Sequence, residues 1–587
     1  MTSFASYDKS PYVAVDPDAE LCAEGWPEIV ERLRGAIGLG RVVLCVECYP
    51  GVLIEEIVDA LRQGLGCRRI FLSEEAFRLP DEVDEFLKPY LTDDPVFGVM
   101  NGVRIEDLFD PAELQRMREQ VQRHLGGLIL VIGTGASLVV LNPDCLVYAD
   151  LARWTIQLRQ RNNRVHNLGV RNELESPGLK YKRAFFVDWR AADCLKQSLF
   201  KRMSYVLDTN IPGHPKMIAG SEFCRGLAVA ARRPFRVVPF FDPGPWGGRW
   251  MMEKFDLPRD TSNYAWCFDC VPEENSLLLG FGHRRIELPA LDLVFLHPRE
   301  LLGDSVFHRF GAEFPIRFDF LDTMAGGNLS LQVHPLAGYI REQFGMSYTQ
   351  DESYYMVDAA ADSTVFLGLK EGVDRQQMAQ DLYQAQKGGL VFPTEHYVNA
   401  WPARKHDHFL IPAGTVHCSG RNGVVLEISA TPFIFTFKLW DWERLGLDGK
   451  PRPIHLDHGL ANIQWDRTTH WVQDNLINRV TRLEARPAWR EERTGLHGLE
   501  FIETRRHWFT GATLHHTEGT VNVLNLVEGE EVVVESPESS FEPLLVHYAE
   551  TFIVPAAVGS YSIRPVRPTR RELGIIKAYV RDSGHDR

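Results

Sequence analysis

Leu329-Ser-Leu-Gln-Val-His-Pro335 alternates apolar and polar residues in the manner of a β-strand. A strand repeats every two residues, so Gln332 and His334 share one face. Polar groups on the inward face of an apolar strand need partners. A carboxylate leads into the next apolar run, Asp351-Glu-Ser-Tyr-Tyr-Met-Val357, at Glu352. A third run, Phe409-Leu-Ile-Pro-Ala-Gly-Thr-Val-His417, passes through a turn and ends on an imidazole. Two imidazoles, a carboxylate and an amide oxygen form a mixed nitrogen and oxygen set. Such a set suits one zinc ion per chain, accepts iron or manganese, and leaves room for water or substrate. By spacing alone, a metal site and histidines satisfied within the fold both remain open.

Outward from these strands, residues 213–480 carry many short apolar runs broken by Pro and Gly, the pattern of a β-barrel or sandwich. One helical insert interrupts it at 374–388. The polar stretch 484–494 reads as a linker, and 490–587 is again strand-rich, at 522–527, 531–535 and 551–554. Residues 1–212 instead alternate strand and helix signals, which predicts a parallel sheet flanked by helices. There, strands are expected at 42–46, 69–72 and 127–132, a helix at 53–64, and a helix with a basic outer face at 151–161.

The formal net charge of −15 argues against a nucleic-acid partner, which requires clustered Lys and Arg. A small anionic substrate remains compatible with it, since a basic pocket can sit within an acidic protein. No apolar run is long enough to span a bilayer, and residues 1–18 do not have the form of a signal peptide. Ten scattered cysteines fit a reducing cytoplasm. The pairs Cys45/Cys48 and Cys267/Cys270 read as small buried hydrophobes within strands, with a four-thiolate zinc site as the alternative.

At this point the strands acquire a likeness. Leu329–Pro335 resembles the L-S-x-Q-x-H-P motif of type I mannose-6-phosphate isomerases, and Ile411–His417 resembles their P-A-G-x-x-H motif. Trp246-Gly-Gly248 is similar to that family's W-G-G signature, and 437–452 to its Y-R-x-Y-D-W-x-R-x-G-L-D-G-K-P-R segment. The likeness covers about 237–466. It implies a cupin barrel in which Gln332, His334, Glu352 and His417 hold zinc. It also implies an activity that interconverts mannose 6-phosphate and fructose 6-phosphate through a cis-enediol. Lys438, in place of the family Arg, becomes the cation for the sugar phosphate. Glu427, matching a family carboxylate, is the candidate base, with a solvent-facing or salt-bridged strand carboxylate as the other reading.

The sequence departs from the family at Gln350, where K-x-E places a Lys, and at Asp319, where F-P-x-x-x-K ends in Lys. These changes keep the ligands and alter the substrate shell. Two other functions therefore stand beside the isomerase: a regulatory metal-cupin protein binding a sugar or sugar phosphate, and a metal-cupin enzyme acting on another hydroxy-carbonyl compound. Arg404, Lys405, His406 and His408 read as a solvated turn.

The expected fold is multidomain. Residues 1–212 resemble a P-loop nucleoside kinase whose loop, Glu47-Cys-Tyr-Pro-Gly51, is followed by Val52 and Leu53 where Lys and a hydroxyl should bind phosphate and Mg²⁺. It therefore reads as degenerate. Residues 213–480 form the metal-binding barrel with its helical insert. Residues 490–587 form a second cupin, or jelly-roll, barrel, metal-free because Ser560 replaces the last histidine, with packing and homodimer formation as its expected roles.

Overall fold

The computed structural model describes residues 7–38, 40–124, 126–388, 390–430, 433–495 and 497–581. The ends of the sequence, on which the reading of 1–18 and the limit of 490–587 partly rest, lie outside that range. The chain divides into two compact units: one comprises 12–230 and 273–297, the other 1–11, 231–272 and 298–587.

The first unit is built on a sheet of five parallel strands. Val42–Cys48 lies at its centre, buried at every residue, as a strand covered on both faces must be. Leu128–Gly133 and Cys145–Asp150 flank it, with Arg69–Leu72 and Tyr205–Asp208 outside them. In chain order the parallel strands run 2-3-1-4-5, and Lys216–Ala219 and Ala23–Glu24 extend one edge antiparallel. Helix Ile54–Leu65 follows the central strand, as its amphipathic spacing predicts.

Open α/β sheets take ligands in the crevice beyond the carboxyl ends of their strands. Here residues of the 273–297 segment occupy that region. Lys196 reaches both Asp150, at the end of its strand, and Asp292, with all three side chains buried. Glu273 is ion-paired to Arg153 and Arg190, and Glu287 donates its backbone N–H to Asp208 at 2.9 Å. The basic outer face expected of helix Arg153–Arg161 is therefore wrong for Arg153 and Arg159, both buried. Their charges are taken up by Asp193 and Glu273 in one case and by the Gly51 and Thr209 carbonyls in the other.

The second unit contains two antiparallel sandwiches. In the first, a six-stranded sheet runs His408–Ile411, Asp351–Ala359, Gly423–Ala430, Arg317–Asp322, Trp266–Cys270, Phe240–Asp242. A five-stranded sheet runs Val398–Pro402, Thr364–Leu369, His417–Ser419, Leu331–Val333, Phe437–Trp440. The insert is helix Arg375–Gln386, begun by Asp374, whose carboxylate accepts from the N–H groups of Gln376 and Gln377. Such a cap is worth about 1 kcal/mol. Trp246 packs edge-on against Trp266 at 4.8 Å, and the adjoining chain approaches so closely that a Cβ on Gly248 would lie 2.2 Å from Asp322 Oδ1. That contact explains the W-G-G sequence.

The second sandwich pairs the sheet Thr481–Arg486, Trp489–Gly495, Ile502–Phe509, Leu573–Val580, Asn522–Glu528, Thr551–Val554 with the sheet Thr513–His516, Ser560–Pro565, Glu531–Glu535, Leu544–His547. Phe509, Leu524, Ile575, Val534 and Ile563 meet in the core between them. The stretch 484–494, expected as a linker, is instead a hairpin paired to Ile502–Phe509. Its ladder is fastened by charge: Arg505 reaches Glu491 at 3.0 Å, and Arg506 reaches Glu492 at 2.9 Å.

Candidate metal centre

Gln332 lies in strand Leu331–Val333, and His334 follows it directly. His417 opens strand His417–Ser419 beside it, and Gln332 and His417 are direct cross-strand partners. Glu352 comes from the facing sheet, in strand Asp351–Ala359. The turn before His417 passes through Gly414 at φ +87°, where a Cβ would meet the Asn462 carbonyl at 2.9 Å, so glycine is required. Gly414 also donates its N–H to the His334 carbonyl at 3.0 Å, which ties the two histidine-bearing segments together.

Ligand atoms of His334, Glu352 and His417 all lie within 4.8 Å of one another, and all three residues are buried. Each imidazole is oriented from behind. His334 Nδ1 donates to the Phe435 carbonyl at 2.8 Å, and His417 Nδ1 donates to the Thr415 carbonyl at 2.8 Å. Both Nε2 lone pairs consequently face inward, the tautomer a metal ligand needs. Nε2 of His334 lies 3.0 Å from Glu352 Oε2, and Nε2 of His417 lies 2.9 Å from Oε1. Yet His334 Nε2 and Glu352 Oε1 have no hydrogen-bond partner, because with Nδ1 protonated the imidazole and the carboxylate both present lone pairs. The Gln332 amide joins them 3.2 Å from His417 Nε2, and a half-turn presents its oxygen there. Orphaned, buried and convergent, this donor set fits a zinc ion. Burial opposes the charge on Glu352, but the two imidazoles hold its carboxyl well below the usual range.

Gln350, where the likeness leads one to expect Lys, is fully engaged. Its Nε2 donates to Glu352 Oε2 at 3.0 Å, and its Oε1 accepts from Phe435 N–H at 3.1 Å. It thus joins the carboxylate ligand to the segment that orients His334, a role invisible in the sequence.

Strand register decides which other residues share the interior. Glu352, Ser429 and Arg317 lie side by side across three strands, and Tyr354, Glu427 and Asp319 form the next row. Glu427 therefore faces inward, and its solvent-facing alternative is excluded by its burial. Burial, with the carboxylates of Asp319 and Glu352, pushes Glu427 well above its ordinary value. Burial and Glu352 likewise push Asp319 up to about 7 against the pull of Arg317. Arg317 was not singled out in the sequence, and Asp319 was read there only as a departure from the family Lys; their two-residue spacing in a strand was the further signal available.

Lys438 stands directly across from Gln332, in the same row as His417. It is half-buried, and burial together with Arg452 and Arg444 lowers its ammonium to about 8. Those arginines are held by Asp441, which accepts from Arg444 at 2.8 Å and from Arg452 Nε at 2.6 Å. The 437–452 segment thus delivers a basic cluster beside the ligands. Of the basic turn at 404–408, His408 departs from expectation: it is wholly buried at the start of its strand, packed against Gly495 with no partner on either ring nitrogen. The four paired cysteines are buried, and among the described residues they form no metal-ligand group. No described helix is long and apolar enough to cross a membrane.

The chain is similar to a mannose-6-phosphate isomerase of Streptococcus mutans, 25% identical over 217 residues, which are 37% of this chain and 63% of that protein. It is similarly related to mannose-6-phosphate isomerase ManA of Bacillus subtilis, 25% identical over 232 residues, 39% of this chain and 68% of that one. The chain thus spans under two thirds of the first relative's length. A solved mannose 6-phosphate isomerase structure from Bacillus subtilis aligns with a TM-score of 0.49 and 16% identity, over 60% of this chain and all of that one. Residues 25–232 match a family described as a domain of unknown function, DUF8485.

Proposed function

We propose that the protein is a zinc-dependent aldose–ketose isomerase acting on a sugar phosphate, with mannose 6-phosphate and fructose 6-phosphate as its substrate pair. The observation that carries this reading is the convergence of Gln332, His334, Glu352 and His417 beside an inward carboxylate and a lysine in the same row. The similarity to named isomerases supports it.

Gln332, His334, Glu352 and His417 would hold the zinc, which when bound would supply Lewis acidity toward the sugar. In its ionised form Glu427, next to Glu352, takes the proton from one of C1 and C2 and returns it to the other, while the hydroxyl proton passes between O1 and O2 of the sugar. Lys438, steadied in a basic surround by Asp441, holds the phosphate.

The test is a coupled assay of the metal-loaded protein on a panel of hexose and pentose phosphates. Turnover of mannose 6-phosphate with loss on chelation is the expected result. Full metal content without turnover of any sugar phosphate would sink the isomerase and favour a binding role.

A further inference from the structure

The interior of the second sandwich is apolar at one end and polar at the other. Along strand Ile502–Phe509, Phe509 joins the apolar core, while His507 and Arg505 continue the same inward face. Lys577 stands opposite Arg505, and Glu491 opposite His507. These residues line a half-open cavity of about 480 Å³, together with Asn522 and Tyr579 of the same sheet and His515 of the facing one. That volume is in the range of small-ligand sites.

Two features of the cavity point to a missing occupant. His507 is 2% exposed, and neither ring nitrogen has a hydrogen-bond partner. Its Nε2 lies 3.8 Å from Glu491 Oε1, and its ring meets that of His515 edge-on at 4.7 Å. His515 is itself satisfied by Thr513 Oγ1 at 2.8 Å, so it does not serve His507. Lys577 is 8% exposed and donates to the His516 carbonyl at 3.3 Å, with no carboxylate within ion-pair distance among the described residues. Arg505, by contrast, is balanced by Glu503 at 2.7 Å and Glu491 at 3.0 Å. Lys577 also lies over the Tyr579 ring at 5.5 Å, so the wall keeps one ammonium without a carboxylate in ion-pair contact and one unsatisfied imidazole. An unpaired buried charge is costly. Burial and Arg505 accordingly lower Lys577 to about 8. Among the described residues the histidines here form no three-ligand metal group, so an organic ligand fits better than an ion.

We infer that this cavity is a second binding site, separate from the metal centre, for a small polyhydroxylated anion whose phosphate or carboxylate rests on Lys577 and His507 and whose hydroxyls reach Glu491 and Asn522. Calorimetric titration of the metal-loaded full chain tests it, with 6-phosphogluconate, inorganic phosphate and uncharged mannitol as probes. Binding of 6-phosphogluconate is expected, at least 10-fold weaker in Lys577→Met and in His507→Phe, largely kept in Lys577→Arg, and with one metal ion retained in every variant. Should Lys577→Met fail to fold, His507→Phe carries the same test. The inference is overturned if none of the probes binds, if both variants bind 6-phosphogluconate like the wild type, or if inorganic phosphate or mannitol binds as tightly as 6-phosphogluconate.

Discussion

Lys438 and Gln332 face each other across neighbouring strands, so the cation proposed for the phosphate and one residue proposed to hold the metal share a single row of the sheet. Side chains so placed are about 5 Å apart at Cβ. A long lysine reaches well beyond that, while the short amide stays at the centre. Lys438→Ala should lower kcat/KM for a sugar phosphate by about 2–4 kcal/mol, with metal content unchanged. Lys438→Arg should retain much of the activity by offering a two-pronged contact. Steady-state kinetics with elemental analysis of the same samples checks both.

Gln350 supports Glu352 from behind, and removing it leaves that carboxylate one donor short. Loss of such support commonly costs 10–100-fold in metal affinity, so Gln350→Ala should weaken zinc binding by about that factor. His417→Ala, which removes a ligand, should abolish metal and activity together. Competition with a chromophoric chelator separates the two cases, and equal zinc affinity in Gln350→Ala and wild type would contradict the assigned role.

His408 sets a pH dependence of stability. Burial, reinforced by Arg506, lowers its imidazole to about 3 in the fold, whereas an unfolded histidine titrates near about 6.5. The unfolded chain therefore binds more protons below that point, and the stability this residue contributes is present above about 6.5 and lost as pH falls towards about 3. By pH ~5 the loss is about 2 kcal/mol. Denaturant unfolding at pH ~7.5 and ~5 should show a gap that narrows by about that amount in His408→Leu. An unchanged gap would place the acid sensitivity elsewhere.

The first unit should bind ATP and GTP weakly or not at all. Val52 and Leu53 offer neither cation nor hydroxyl, and the carboxyl ends of the strands already carry the Lys196–Asp292 and Arg153–Glu273 pairs. Micromolar affinity by calorimetry would contradict this.

The convergence of Gln332, His334, Glu352 and His417 was legible because strand alternation and short motifs are local properties. Gln332 and His334 are two residues apart, and His417 closes a glycine turn. The parallel sheet was legible for a similar reason, since Val42–Val46 at its centre is apolar throughout. The rest depends on register and on partners distant in sequence. Asp319 reaches the metal-centre interior only through its pairing with Glu427, over a hundred residues away. The hairpin at 484–494 has no apolar stripe to announce it, because its ladder partners are Arg505 and Arg506. His408 looked like part of a basic turn because nothing local reveals Gly495 lying against it.

The path of the chain has a consequence for its synthesis. Residues 7–11 belong to the second unit, where Tyr7 donates to Asp269 at 2.5 Å and Asp8 N–H to Glu550 at 2.6 Å, while 12–230 belong to the first. The first unit is completed only by 273–297, which supply Glu273 and Asp292 to its buried arginines and lysine. A ribosome adding about 5–20 residues per second therefore leaves Lys196 and Arg153 without these partners for several seconds while 231–272 are made. The opening residues wait longer still, until Glu550 has left the exit tunnel. The two units are interleaved in time as well as in sequence, and cutting the chain near 230 would strand the first with buried cations and no counter-charge for Lys196 beyond Asp150.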